Sequence, residues 1–319
     1  MPAISAEKLQ KAYSSIWGKR VSPAQSASNG SQTNALTGLT LEVREGETFG
    51  FLGPNGAGKT TTILLLLNLI RPTSGSVELF GRPATDFAVH RRLGYLPESV
   101  NLHDYYTGRG LLEFYAGLLE VPISGRKARI ADLLQLLRLE DAAEKRVSKY
   151  SKGMLQRLGF AQAMLHDPDL LILDEPTASL DPVGRKEFRD ILLELKRRGK
   201  TIFISSHILS EVETVCDRVA ILEKGELKKV GTLQELSSST STRLFLRNVP
   251  GTVLEALSKM PAEVTMISGH VTIKCADAGT RAAVEELLRQ YNIQPDKSEV
   301  ETQSLENIFF SSIAPPPKL

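Results

Sequence analysis

Cysteine is nearly absent from this chain. Cys216 and Cys275 are the only two in 319 residues and lie far apart, which speaks against a disulfide framework and for free thiols in a reducing cytosol. Long apolar runs are lacking too. Ile63–Leu67 and Leu170–Leu173 fall far short of the roughly 18–20 residues a membrane-spanning helix needs. The N-terminal Met1-Pro2-Ala3-Ile4-Ser5-Ala6-Glu7 has neither the basic nor the apolar region of a signal peptide. Charge of one sign does not dominate. A formal net charge of +2 over this length argues against an electrostatic grip on nucleic acid. The clusters His90-Arg91-Arg92 and Lys196-Arg197-Arg198 sit in ordinary helical patterns and read as solvated faces. These absences leave a soluble cytoplasmic protein that is free to dock on a membrane surface.

Hydrophobic content of 41% and charged content of 24% fit a globular protein with one large and one smaller domain. A first strand pattern covers Ile4–Tyr13. Ser22–Asn34, rich in Ser, Ala, Asn and Gln, reads as an exposed loop. Leu39–Val43 alternates as a second strand and ends at the turn Glu45-Gly46-Glu47. Thr48–Leu52 reads as a buried strand that enters a glycine-rich loop, and Thr60–Leu69 as an apolar helix stopped by Arg71-Pro72. Between about residues 105 and 165 the period is helical, with Ile130, Leu133, Leu134 and Leu137 on one face. Strand patterns return at Leu170–Leu173, Thr201–Ile204 and Arg218–Leu222. Helical segments between them, Lys186–Arg198 and a run from about Leu209, imply an α/β fold with a parallel, helix-covered sheet. The composition shifts at Ser237-Ser238-Ser239-Thr240-Ser241. Beyond it, strands at Arg243–Arg247, Val264–Ile267 and Val271–Lys274 interleave with helices at Thr252–Lys259 and Ala282–Gln290. A last short helix is expected from about Ser304, before a Pro-rich tail at Pro315-Pro316-Pro317. Two domains are therefore expected, residues 1–238 and a small α+β domain over 239–319.

Gly53-Pro54-Asn55-Gly56-Ala57-Gly58-Lys59-Thr60 fits the phosphate-loop pattern G-x-x-x-x-G-K-[ST] at every fixed position. Its glycines let backbone N–H groups turn inward around phosphates, and the helix that follows presents its positive end to them. Lys59 is expected on the β- and γ-phosphates of ATP, and Thr60 on Mg²⁺ through its hydroxyl. A glycine-rich turn with a chance Lys-Thr would not come framed by a strand and a helix. The apolar Leu170-Leu171-Ile172-Leu173 ends in two adjacent carboxylates, Asp174 and Glu175, a costly placement at the edge of a core that points to a cation or a task. Asp174 is expected to hold Mg²⁺ through water and Glu175 to polarise an attacking water; an N-cap for the next segment is the plainer alternative.

With these motifs the sequence resembles the nucleotide-binding subunits of ABC transporters over nearly all of residues 4–236. Tyr150-Ser151-Lys152-Gly153-Met154-Leu155-Gln156-Arg157 stands where that family carries its signature, Ala178-Ser179-Leu180-Asp181 matches its D-loop, and Ser205-Ser206-His207 its switch histidine. The resemblance implies a P-loop NTPase cassette, with a RecA-like core and a helical subdomain near residues 100–165. It places Gly53, Pro54, Asn55, Gly56, Ala57, Gly58, Lys59, Thr60 and Thr61 on ATP. It gives Ser151 and Gly153 to the γ-phosphate of an ATP held by a second copy of the chain, and Asp181 to the seam between copies. His207 is implied to contact the γ-phosphate and to orient the water with Glu175. Tyr13 is the choice for the aromatic that stacks on adenine. Trp17 is its rival because the inserted loop blurs the register, and plain packing is an alternative for either.

Two positions depart from the family pattern. Glu98 stands where glutamine is usual; it still accepts a Mg²⁺-bound water but cannot donate from an amide. Lys152 stands where glycine is commonest. These variants resemble the branch whose cassettes serve exporters with permeases on separate polypeptides. The expectation is an ATPase that forms a homodimer on the inner face of the cell membrane and drives a separate permease. A soluble ATPase of DNA repair or chromosome maintenance would need a long coiled-coil insertion, and a translation-factor ATPase would need tandem cassettes; the sequence offers neither.

Overall fold

The computed structural model describes residues 1–16, 19–21, 32–237, 240–247, 249–267, 270–275 and 277–302. The chain divides into two compact units, Met1–Val230 and Gly231–Leu319. The division falls before the serine-rich stretch. A helix at Leu233–Ser237 belongs to the second unit, and reciprocal bonds start it: Glu235 Oε2 accepts from Thr232 N at 2.7 Å, and Thr232 Oγ1 from Glu235 N at 3.1 Å.

In the first unit an antiparallel sheet is built on Pro2–Ile16, which pairs with both Gln32–Arg44 and Ser74–Leu79. The expected short strands are the middles of these longer ones. Residues 32–34, expected in an exposed loop, are paired strand, with Thr33 opposite Tyr13 and Asn34 opposite Ala12. Backbone ladders are indifferent to side-chain polarity, so composition hid this pairing. Residues 22–31 and Trp17 lie outside the described residues.

The second sheet has six strands, in the order Glu226–Thr232, Arg218–Glu223, Thr48–Leu52, Thr201–Ser206, Leu170–Asp174 and Leu93–Leu96. The last five run parallel. Every residue of Thr48–Leu52, Leu170–Asp174 and Thr201–Ser206 is buried, which explains their continuous rather than alternating apolar pattern. Close packing has a specific requirement at Gly50, where a Cβ would lie 2.6 Å from Val212 Cγ1 and 3.1 Å from Cys216 Sγ. The helix Leu209–Val215 is thereby seated directly on the strand that leads to the glycine-rich loop.

The helix after that loop spans Lys59–Leu66 and ends earlier than its apolar pattern, because Asn68 takes a left-handed φ of 53°. The helical region consists of Gly108–Leu118, Ile123–Leu136 and Lys152–Met164, and Ile130, Leu133, Leu134 and Leu137 are buried in it. Pro182–Arg197 forms a strongly amphipathic helix with Phe188, Ile191, Leu192 and Leu195 buried. No helix among the described residues is long and apolar enough to cross a membrane.

The second unit is a β-α-β-β-α-β arrangement. Its strands Thr240–Arg247, Ala262–Ile267, His270–Cys275 and Lys297–Thr302 form one antiparallel sheet with Thr240–Arg247 and His270–Cys275 at its centre. That order is the ferredoxin-like split βαβ topology. Its helices are Gly251–Leu257 and Ala278–Gln290. Leu244, Leu246, Val253, Leu257, Val271, Ile273, Val284 and Leu288 form its core, each fully buried aliphatic side chain contributing about 1.5–3 kcal/mol. Asp277 starts the second helix one turn before the expected Ala282, accepting from Thr280 N at 2.7 Å. The strand Lys297–Thr302 was not expected, since Lys-Ser-Glu-Val-Glu-Thr carries almost no apolar signal. The helix expected from Ser304 and the Pro-rich tail lie outside the described residues.

Candidate functional site

The strands Thr48–Leu52, Leu170–Asp174 and Thr201–Ser206 are neighbours, so their carboxyl ends deliver Gly53, Glu175 and His207 to one edge of the sheet. This is where open parallel sheets place their ligands. The loop from Gly53 turns tightly, with Ala57 N donating to Pro54 O at 3.1 Å. Gly58 at its end has a φ of 111°, and a Cβ there would lie 2.6 Å from Ala35 O. Only glycine meets both demands. No side chain caps the helix that begins at Lys59, and the uncapped N-terminal end of a helix favours an anion.

A cavity of about 510 Å³ opens over this loop, a size suited to a small-molecule ligand. It is lined by Asn55, Gly56, Gly58, Lys59, Thr60 and Thr61 of the loop and helix, by Tyr13, Thr33, Asn34 and Ala35 of the paired strands, and by Glu98, Glu175 and His207. Tyr13 is therefore in the site. The ammonium of Lys11 lies 5.1 Å from the Tyr13 ring centroid and donates to Arg71 O at 2.7 Å, with burial pushing the Lys11 pKa down. Thr33, Asn34 and Ala35 escaped the sequence reading because the strand that carries them looks like a loop by composition.

Charge is concentrated and internally matched. Lys59 Nζ donates to Gly53 O at 2.6 Å and to Pro54 O at 3.3 Å, and lies 3.1 Å from Glu175 Oε1. Both side chains are more than nine-tenths buried. Glu175 Oε1 has this ionic contact but no hydrogen bond. The other oxygen, Oε2, is 2.8 Å from His207 Nδ1. A carboxylate only accepts, so Nδ1 carries the proton and donates to Glu175. The Glu175 backbone is left-handed, with φ 46°, an uncommon conformation for a residue with a side chain. Its N–H is held by Ser205 at both Oγ, 2.9 Å, and O, 3.2 Å.

Asp174 is 1% exposed and accepts from Ser205 Oγ at 2.6 Å. Burial pushes its pKa up, against the pull of hydrogen bonds from Ser205 and Thr60. Ser205 thus holds the Asp174 carboxylate and the Glu175 backbone. Only its place beside His207 in the sequence hinted at that.

Asp174, Ala57, Gly53 and Pro54 support the cavity rather than line it. Ser151, Gly153 and Asp181 do not reach it. Ser151 caps Lys152–Met164, its Oγ accepting from Met154 N at 3.3 Å. Asp181 caps Pro182–Arg197, accepting from Gly184 N at 2.7 Å. A Cβ on Gly153 would lie 3.4 Å from Leu180 Cδ2, so the first turn of the Ser151 helix runs beside the residue that precedes Asp181.

Residues 36–178 match a family profile described as "ABC transporter". The chain is 54% identical over 210 residues to an ABC transporter ATP-binding protein of Nostoc sp. (strain PCC 7120), covering 65% of this chain and 63% of that one. It is 38% identical over 286 residues to the ABC transporter ATP-binding protein YxlF of Bacillus subtilis, covering 88% and 94%. It is 41% identical over 192 residues to a Nod factor export ATP-binding protein I of Burkholderia orbicola, covering 60% and 63%. The match thus spans less than two thirds of the Nostoc protein and nearly all of YxlF. A solved ATP binding subunit of an ABC transporter superposes with a TM-score of 0.62 at 29% identity, covering 73% of this chain and 91% of that one.

Proposed function

This chain belongs to the family of ABC transporter ATP-binding proteins, and from that premise we propose that it binds and hydrolyses ATP to power export through a separate membrane permease. The observation that carries the reading is the convergence of Lys59, Glu175 and His207 on one cavity, with 3.1 Å and 2.8 Å between them. Lys59 and the helix end at Thr60 and Thr61 take the phosphates, together with the backbone of Asn55 and Gly56. Tyr13 takes the base. Glu175 polarises the water, and His207 holds that carboxylate through Nδ1 and turns Nε2 to the γ-phosphate side.

Mg²⁺ fits this donor set. Thr60, Asp174 and Glu98 supply only oxygen, and Asp174 sits where a carboxylate is otherwise disfavoured by burial. When bound, the ion neutralises charge on the phosphates. The residues' own part is to hold it: Asp174 is fixed by Ser205, and Thr60 bonds to Asp174.

Ser151, Gly153 and Asp181 act on the ATP of a second copy, which makes the working unit a homodimer on the inner face of the membrane. Export is supported by the similarity to a Nod factor export protein and by Glu98 and Lys152. We assign residues 1–238 to ATP binding and residues 239–319 to an accessory domain. Hydrolysis by the purified chain tests the core of this reading. Glu175→Gln is expected to lower turnover by about 100-fold or more while ATP still binds; unchanged turnover would refute it.

A further inference from the structure

Asp174 and Ser205 are paired at the ends of adjacent parallel strands. Beyond them the chain runs in two diverging segments, one through Glu175 and Thr177 to Leu180 and Asp181, the other through His207 into the helix Leu209–Val215. Two side-chain rungs span the gap. The first joins Glu175 and His207. The second is a hydrogen bond from Thr177 Oγ1 to Glu211 Oε2. Thr177 is buried, and the Glu211 side chain is only 15% exposed.

The other carboxylate oxygen of Glu211, Oε1, is buried without a hydrogen bond and lies 3.7 Å from Arg185 Nε. That same Nε donates to Leu180 O at 3.1 Å. One carboxylate therefore grips Thr177 directly and Leu180 through Arg185. None of the three side chains lines the nucleotide cavity. A buried carboxylate with one unbonded oxygen is an expensive way to fill space, where an aliphatic side chain would pack at lower cost. Val212 and Val215 on the same helix are buried, and Val212 is pressed against Gly50. A pull on Glu211 is thus passed to a rigidly packed element.

We propose that Glu211 is a positioning residue for hydrolysis. It clamps the Thr177–Asp181 segment to the helix that follows His207, so that displacement of that segment moves the imidazole relative to Glu175. The proposal rests on the ATPase reading above.

Steady-state hydrolysis by the full chain tests it. Thr177→Val and Glu211→Met are each expected to lower kcat about tenfold with KM for ATP within about twofold. The double variant is expected to be no worse than Glu211→Met alone, because that change already removes the Thr177 bond together with the Arg185 contact. Thr177→Ser, which keeps the hydroxyl, is expected to retain wild-type kcat at an unchanged melting temperature. If Glu211→Met does not fold, Thr177→Val against Thr177→Ser still decides. Unchanged kcat in the single variants, multiplied losses in the double, or a change confined to KM would overturn the clamp while leaving the ATPase reading intact. A wild-type chain that does not turn over ATP would overturn both.

Discussion

Two groups of polar residues in the first unit differ in how their charge is held. Around the phosphate loop, Lys59, Asp174 and Glu175 are buried and answer one another. The ammonium meets Glu175 and two carbonyls, and Ser205 braces the Asp174 carboxylate and the Glu175 backbone. At the other group, Ser151 and Asp181 are exposed, and each side chain has one visible task, accepting an N–H at the start of its helix. Buried charge must be compensated within hydrogen-bond reach, whereas exposed polar groups are left available to something outside the chain. The first group is matched within one chain. The second shows only a pair of helix caps, in keeping with its proposed role on the ATP of a second copy.

The comparison is broken most severely at Lys59. Lys59→Ala removes the counter-charge of Glu175 and the anchor of Gly53 and Pro54, and is expected to abolish ATP binding. It should also destabilise the nucleotide-free protein by about 3–5 kcal/mol, read by denaturant unfolding. Ser151→Ala acts on the other group. It should lower kcat on the order of 10-fold or more and stability by only about 1 kcal/mol, with ATP affinity of the single copy unchanged. An equal loss of affinity and turnover would place Ser151 in its own chain's cavity.

The smallest effect sharpens the contrast. Burial raises the pKa of Asp174 above the ordinary carboxylate value of about 3.9. The folded protein therefore holds that proton more tightly than the unfolded chain does. The stability this confers is fully present below the unfolded pKa and is lost as pH rises through the folded one. Asp174→Asn is expected to flatten this slope and to melt higher than wild type at pH 7 without nucleotide, while losing Mg²⁺-dependent hydrolysis. A lower melting temperature at pH 7 would show that the ionised carboxylate stabilises the fold.

The loop at Gly53–Thr60 was readable because its chemistry fixes residue types at fixed spacing, and the apolar run before Asp174 because a buried parallel strand must be continuous. The contribution of Thr33, Asn34 and Ala35 to the cavity was not readable, since strand pairing places polar residues there without an apolar signal. The Thr177–Glu211 bond was hidden for another reason: its partners are 34 residues apart, and only the fold joins them. The helix Lys59–Leu66 is shorter than its apolar pattern because a left-handed Asn68 overrides the pattern. In the second unit, the helices Gly251–Leu257 and Ala278–Gln290 and the central strands follow their periodicity, whereas the helix Leu233–Ser237 and the charged strand Lys297–Thr302 were not expected.

We propose that the cradle of one copy is completed by the exposed caps of another. Sedimentation of Glu175→Gln with saturating ATP tests this most directly. A dimer is expected that forms only with ATP and is lost when Ser151→Arg is added, while each copy still binds nucleotide. A chain that stays monomeric with ATP bound, or dimerises equally with Ser151→Arg, would contradict it.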